Sequence, residues 1–440
     1  MRVLFSKPVV LLSGIFTLLW ANASHAQINK VFNNVFREIL EQRLSLSPGV
    51  HGEHFLEAAD LASGLLAPAL NGLIASNVAA FPISSATVAT LTFNIDAGRP
   101  ASSTESLGPI LAETAETLGK NKINLEFNYT YLNLAKFRGV PTGDIRFTFT
   151  HQDVTNDGTL GESPNESDTI DLFPGVDVDA GVLAFVATWG VTNDLDFGIA
   201  VPIINLRMRG SATSIVNSFT FQNLGAANHH FGADATNPVL QTTVPYDESA
   251  AGLGDMALRL KCNWLKGESL YWASLFEVRL PTGDKNDFLG SGKTSLKLYS
   301  ILSKRIGHFT PHLNLAFDRR NAAFDSDELE FIAGFDQRIV SGVNFALEIS
   351  GDFDLNERET IKLFPGSVKI VDRLATGTRE RNLKLSNIPD RNNDNTLNAA
   401  LGIRVAASER LLFLGNVLVP INDAGLRSTF VTTIGLTSSF

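Results

Sequence analysis

From Asn121 onward the chain falls into segments of about ten residues in which apolar side chains recur at every second position. That is the period of a β-strand with one apolar and one polar face. The clearest segment sets Ile123, Leu125, Phe127, Tyr129 and Tyr131 against Asn124, Glu126, Asn128 and Thr130. At roughly 3.3 Å per residue a tilted strand of this length matches the hydrocarbon layer of a bilayer. The pattern predicts twelve strands, over 122–132, 181–190, 194–206, 253–264, 269–280, 294–303, 308–318, 328–337, 342–353, 396–405, 410–420 and 427–440.

The connections between these strands alternate in length. Val191–Asn193, Leu265–Glu268, Lys304–Gly307, Arg338–Ser341 and Ala406–Glu409 are short, whereas 133–180, 207–252, 281–293, 319–327 and 354–395 are longer. Only Ile421–Leu426 is short on the long side. A secreted β-sandwich also alternates, but it has no reason to sort its loops by length. Tight turns at one rim and long loops at the other, with an even strand count, predict an all-β transmembrane antiparallel barrel with its turns and both termini in the periplasm.

Composition becomes informative against that pattern. The chain is 44% hydrophobic and 19% charged, yet after residue 26 its best candidate for a spanning helix, Leu61–Ile83, is interrupted by Pro68, Asn71, Gly72, Asn77 and Pro82. Alternation resolves this, since each window averages near neutral while one strand face suits lipid. The 36 basic and 46 acidic residues give a net charge of −10, which repels polyanions and excludes a nucleic-acid partner. Arg2 and Lys7, the apolar run Val9–Trp20 and Ser24-His25-Ala26 read as a secretory signal peptide over 1–26. Its removal changes the balance to 34 minus 46, or −12. Cys262 alone makes no intramolecular disulfide.

Residues 27–121 lie outside the strand pattern. Val31, Phe32, Val35, Phe36, Ile39, Leu40 and Leu44 recur at helical spacing before Ser47-Pro48-Gly49. This segment is expected to be a partly helical plug or hatch, or a periplasmic segment, ahead of the barrel at 122–440. The last strand ends on Phe440, which resembles the signature by which the barrel-assembly machinery recognises outer-membrane barrels.

Gly252-Leu253-Gly254-Asp255, Leu280-Pro281-Thr282-Gly283-Asp284 and Leu289-Gly290-Ser291-Gly292 together resemble the outer-membrane family linked to phenol meta-cleavage degradation. That family is similar in outline to the fatty-acid and toluene channels, which have 14 strands and an N-terminal hatch, so 14 strands are an alternative to 12. The resemblance implies a transporter in the outer membrane of a Gram-negative bacterium and assigns no ligand-binding residue.

Other motifs point to no metal or cofactor. Leu289–Ser295 imitates the end of a phosphate-binding loop, but Asp287 stands where that loop needs Gly, and a strand follows rather than a helix. Asp153, Thr155, Asp157 and Gly158, and again Asp390, Asn392 and Asp394, imitate part of a calcium loop without its closing Glu. At most they would hold divalent ions loosely. His51 and His54 flank Glu53, and His229-His230 stand together, but neither group supplies a full ligand set.

By strand parity, Glu126, Asp196, Arg259, Lys261, Glu277, Arg279, Lys297, Glu330, Glu348, Asp352 and Arg404 are expected to line the lumen. Their near balance of sign suggests cross-strand ion pairs narrowing a pore for small molecules. The function expected is passive uptake of small hydrophobic or aromatic compounds, with outer-membrane lipid as surroundings. The alternatives are a structural or adhesive barrel acting through its loops, or a lipid-modifying enzyme. The enzyme would need a Ser-His pair on the lipid face, and the strand parity turns His312 inward instead.

Overall fold

The computed structural model describes residues 27–46, 55–79, 107–154, 157–320, 326–355, 366–391, 393–408 and 410–440. The expected signal peptide, His51, Glu53, His54, Thr155 and Asn392 lie outside them. The twelve barrel strands are β1 Ile123–Phe137, β2 Val176–Gly190, β3 Leu195–Asn217, β4 Met256–Lys266, β5 Leu270–Leu280, β6 Ser295–Lys304, β7 Phe309–Arg319, β8 Glu328–Val340, β9 Val343–Asp354, β10 Thr396–Ser408, β11 Leu411–Pro420 and β12 Leu426–Ser439.

Each strand pairs antiparallel with the next in sequence, and β12 pairs with β1 from Asn124↔Ser439 to Phe137↔Leu426, which closes the barrel. Twelve strands therefore form the wall, not fourteen. The seam finishes at the short-turn rim, where Ile123 N–H donates to the Phe440 carbonyl at 3.0 Å and Phe440 N–H to the Ile123 carbonyl at 2.8 Å. A closed ladder leaves no backbone group unpaired toward lipid, the condition for crossing a membrane with strands.

The outward face carries Phe127, Tyr129, Phe197, Leu260, Phe276, Leu298, Leu315, Leu347, Leu401 and Ile434, all exposed, so apolar side chains face outward around the circumference. On β3 the apolar face ends at Ile203 and continues as Asn205, Arg207 and Arg209. This upper part of β3 stands beyond the lipid band, pairing with strand Gln241–Leu253 and with Thr169–Phe173. A second hairpin, Ser367–Leu374 with Gly377–Lys384, lies in the longest loop.

Register shifts occur at Asn263/Leu265, Arg338/Val340 and Ala406/Ser408, beside the short turns, and at Leu132/Leu134/Lys136 in upper β1. A bulge inverts parity beyond itself. Because these lie at strand ends, inward and outward faces hold across the middle of the wall.

The helical spacing read at 31–44 is realised as a 3₁₀ turn Ile28–Lys30, α1 Val31–Arg37 and a wider turn Glu38–Arg43. Phe32, Phe36, Ile39 and Leu40 are buried. The unexplained apolar stretch also folds as helix, with α2 Leu56–Leu61, a wide turn Ala62–Leu66 and α3 Ala67–Ala79. Pro68 directly follows the wide turn within this continuous helical run, where its missing N–H interrupts the regular helical bonding. Both helical stretches share one apolar core with Leu132, Leu134, Val178, Ala180, Leu206 and Met208 on the inner face of β1–β3. Each fully buried Phe or Leu there contributes about 1.5–3 kcal/mol.

Candidate lumen site

Residues 107–120 return along the inside of the barrel as a strap without regular structure. A strap with no ladder partner must satisfy its N–H and C=O groups elsewhere, and the inward charges do this. Glu348, fully buried, accepts from Ile110 N–H at 2.8 Å on one carboxylate oxygen and from Leu111 and Ala112 N–H at 2.7 and 3.2 Å on the other. Asp196 accepts from Leu118 N–H at 3.0 Å. Arg404 donates to the Leu107 carbonyl at 2.8 Å and Lys261 to that of Thr114 at 3.4 Å. Asn263 donates to the Ala115 carbonyl, and Ser303 Oγ accepts from Ala115 N–H at 3.2 Å.

Ion pairs complete the attachment. Arg259 bridges Glu113 of the strap at 2.6 Å and Glu277 of the wall at 3.1 Å, and Glu277 also holds Arg279 at 3.0 Å. Arg305 pairs with Glu116. Ile110 packs on Ala346 and Ala400, in a niche left by Gly402, where an added Cβ would meet Ile110 at 2.8 Å. At Gly190 an added Cβ would stand 1.8 Å from the Gly119 carbonyl oxygen, so glycine is required for that approach.

The eleven residues selected by parity all sit on the inner face, though their partners differ from a simple cross-strand balance. Asp196, Arg259, Lys261, Glu348 and Arg404 hold the strap. Glu126 accepts from Asn124 at 2.8 Å and faces Arg404. The Lys297 ammonium pairs with Glu330 at 2.5 Å and approaches Asp318 at 3.7 Å. Asp352 accepts from Thr396 Oγ1 at 2.6 Å.

Sequence reading missed Asp318, Glu328 and Asp336, which share that parity, and Glu113, whose segment has no periodicity to read. His312 points inward, with Nε2 3.2 Å from Glu348 and Nδ1 4.0 Å from Asp336. Glu328, Glu330 and Asp352 bring carboxylate oxygens within 4.8 Å of one another. Two cations already compensate this group, since Arg320 donates to Glu328 and Asp318 at 2.8 and 2.9 Å and Lys297 holds Glu330.

Above the strap the described residues line a partly open cavity of about 260 Å³ between α3 and the wall. Leu132, Leu134, Val182, Leu426 and Val431 form its apolar side, and Lys297, Arg320, Glu330 and Asp352 its ionic side.

The three glycine-rich motifs meet at the long-loop rim. The Asp255 carboxylate accepts from Gly283 N–H at 3.0 Å and from both N–H and Oγ of Ser291 at 2.7 Å. Thr282 Oγ1 donates to the Gly254 carbonyl at 2.7 Å. Added Cβ atoms at Gly283 and Gly290 would lie 2.4 Å from Leu289 O and Asp255 Oδ1. The motifs thus form a structural knot rather than a phosphate cradle. The knotted loop also reaches the N-terminal helices, because Asp287 accepts from Ile28 N–H at 3.3 Å and Asn29 donates to Asn286 at 3.1 Å.

The remaining motifs have structural partners. Asp153 accepts from Gly158 N–H at 2.7 Å, and Asp394 is buried against Arg138 at 2.9 Å. His229 is fully buried, with Nδ1 2.7 Å from Asp168 and its ring edge-on to Phe55.

Residues 161–359 match the family described as "Putative MetA-pathway of phenol degradation". No curated protein matches the sequence. Among solved structures, an outer membrane channel from Pseudomonas putida F1 is 12% identical and covers 74% of this chain and 98% of its own, with a TM-score of 0.38. A Pseudomonas aeruginosa FadL homologue is 7% identical over 73% of this chain and 90% of its own, with a TM-score of 0.33. The NanC porin is 8% identical over 67% and 98%, with a TM-score of 0.33. The match to that family is confined to residues 161–359, and the closed barrel of twelve strands with its apolar outer face shows the chain to be a transmembrane antiparallel β-barrel.

Proposed function

We propose that the protein is a passive outer-membrane channel for small hydrophobic or aromatic compounds, closed in its resting state by an N-terminal plug. The observation that carries this reading is the cavity between α3, the strap and the wall, with an apolar side facing an ionic one. Such a lining suits a compact solute with an apolar body and one or two polar groups. In this reading the inward charges act first as the latch of the strap and only then as a permeation surface. Export through a cleaved signal peptide and assembly through Phe440 belong to the same proposal.

The test is transport by the purified full chain. In planar bilayers and in liposomes loaded with a reporter, small aromatic acids and phenols should cross faster than sugars of equal size. If neither conductance steps nor solute flux exceeds that of empty membranes, with and without a released strap, the channel reading fails. An adhesive barrel is the second reading, favoured by the head that β3 and the long loops build beyond the lipid band. A loop-dependent partner with a non-conducting lumen would establish it.

A further inference from the structure

We infer that the short-turn rim is a docking surface for anionic phospholipid headgroups of the periplasmic leaflet. Two independent observations meet there. The first is charge. The described turns, the strand ends and the strap beside them carry Lys120, Lys122, Lys266, Lys304, Arg305, Arg338 and Arg410 against Asp194, Glu268 and Glu116, and Glu409 precedes Arg410 in sequence. Among side chains, seven minus four gives +3 in a chain of −10, leaving −13 for everything else, and the α-carboxylate of Phe440 adds one negative charge at the same rim. Lys266 pairs with Asp194 at 2.7 Å and Arg305 with Glu116, while Lys120, Lys304 and Arg410 are exposed at the edge.

The second observation is the aromatic belt. All three tryptophans among the described residues, Trp189, Trp264 and Trp272, lie within three residues of this rim, outward-facing and 47%, 62% and 42% exposed. The indole N–H groups of Trp264 and Trp272 donate to Ser274 and Ser300 of neighbouring strands at 3.1 Å each, which fixes the rings at that height. Tryptophan on a lipid-facing surface marks the headgroup level. The basic side chains just beyond it therefore stand where phosphates of that leaflet lie, and cations there are drawn to anionic lipid. This inference depends on barrel orientation and not on the permeant.

The same tryptophans report the result. The full chain is reconstituted in phosphatidylethanolamine vesicles containing brominated phosphatidylethanolamine or brominated phosphatidylglycerol, and quenching is compared at low salt. Brominated phosphatidylglycerol should associate about fivefold more strongly, the gain expected of one basic side chain near an anionic surface, and raised salt should remove the difference. The triple variant Lys120→Gln, Lys304→Gln, Arg410→Gln should lose the selectivity, and Lys120→Arg, Lys304→Arg, Arg410→Lys should keep it. Equal quenching by both lipids in the unaltered protein overturns the inference, as does selectivity that survives neutralisation. If the neutralised variant does not insert, neither lipid quenches it, and the salt titration of the unaltered protein decides alone.

Discussion

Replacing Glu348 by Ala should release the strap while leaving the barrel folded. The carboxylate accepts three successive backbone N–H groups, two of them on the fully buried residues Ile110 and Ala112. A buried donor left without an acceptor is destabilised by about 1–3 kcal/mol. At about 1.5 kcal/mol for each of the two buried donors, the strap loses about 3 kcal/mol of attachment, which shifts its release by about 150-fold. Arg404 and His312 lose a nearby anion as well, so the figure is a lower bound for the local effect. Hydrogen exchange of amides 107–118 should accelerate by roughly that factor, and planar bilayers should show longer or more frequent open intervals. A disulfide joining Ile110→Cys to Ala346→Cys, whose side chains share one apolar cluster, should restore protection and closure in the same background. Unchanged exchange of 110–112 in Glu348→Ala would show that the carboxylate does not hold the strap and would refute the latch.

Other substitutions test the remaining attachments. Arg404→Ala removes the buried cation that faces Glu126, Glu348 and Asp336, and should lower stability to denaturant by about 3–5 kcal/mol, because carboxylates stay buried without compensation. Gly190→Ala forces the backbone of Gly119 away; overpacking of this kind costs about 1–3 kcal/mol, and faster exchange at Asn121, whose N–H donates to the Gly190 carbonyl at 2.7 Å, would report it. In the loop hairpin, burial raises the pKa of Asp372 but hydrogen bonds from Arg381 and Arg379 outweigh it and hold the carboxyl below its ordinary value. A depressed pKa stabilises the fold above the unfolded value of about 3.9 and loses that contribution as pH falls through the folded value. The protection of amides 367–384 relative to their intrinsic exchange rates at each pH should therefore be steady from neutral pH to about 4 and fall below it, while Asp372→Asn should show low protection throughout.

Much of the fold was legible because a barrel writes its wall into local sequence. Alternation at Ile123–Tyr131 or Met256–Trp264 encodes which side of each strand is apolar and outward, and loop lengths separate one rim from the other. The bulges that could have inverted the faces fall at strand ends, and Glu348 and Arg404 lie on the inner face. Parity says nothing of partners, however. Asp318, Glu328 and Asp336 carry the same signal as the inward residues named from sequence, and nothing periodic marks Glu113 or the strap.

Leu61–Ile83 shows the limit from another side. Its apolar content is plain in sequence, but α3 is helical and buried because the inner face of upper β1–β3 is also apolar, a surface that exists only once the barrel has closed. Likewise Gly254-Asp255, Gly283 and Gly290 stand as three separate turn motifs until the fold brings them together around one carboxylate. The sequence alone determined the twelve wall strands and their faces, since both follow from near-neighbour periodicity. Tertiary structure alone decided that the inward charges bind a strap instead of only one another, because that choice depends on backbone groups more than two hundred residues away meeting them inside a closed wall.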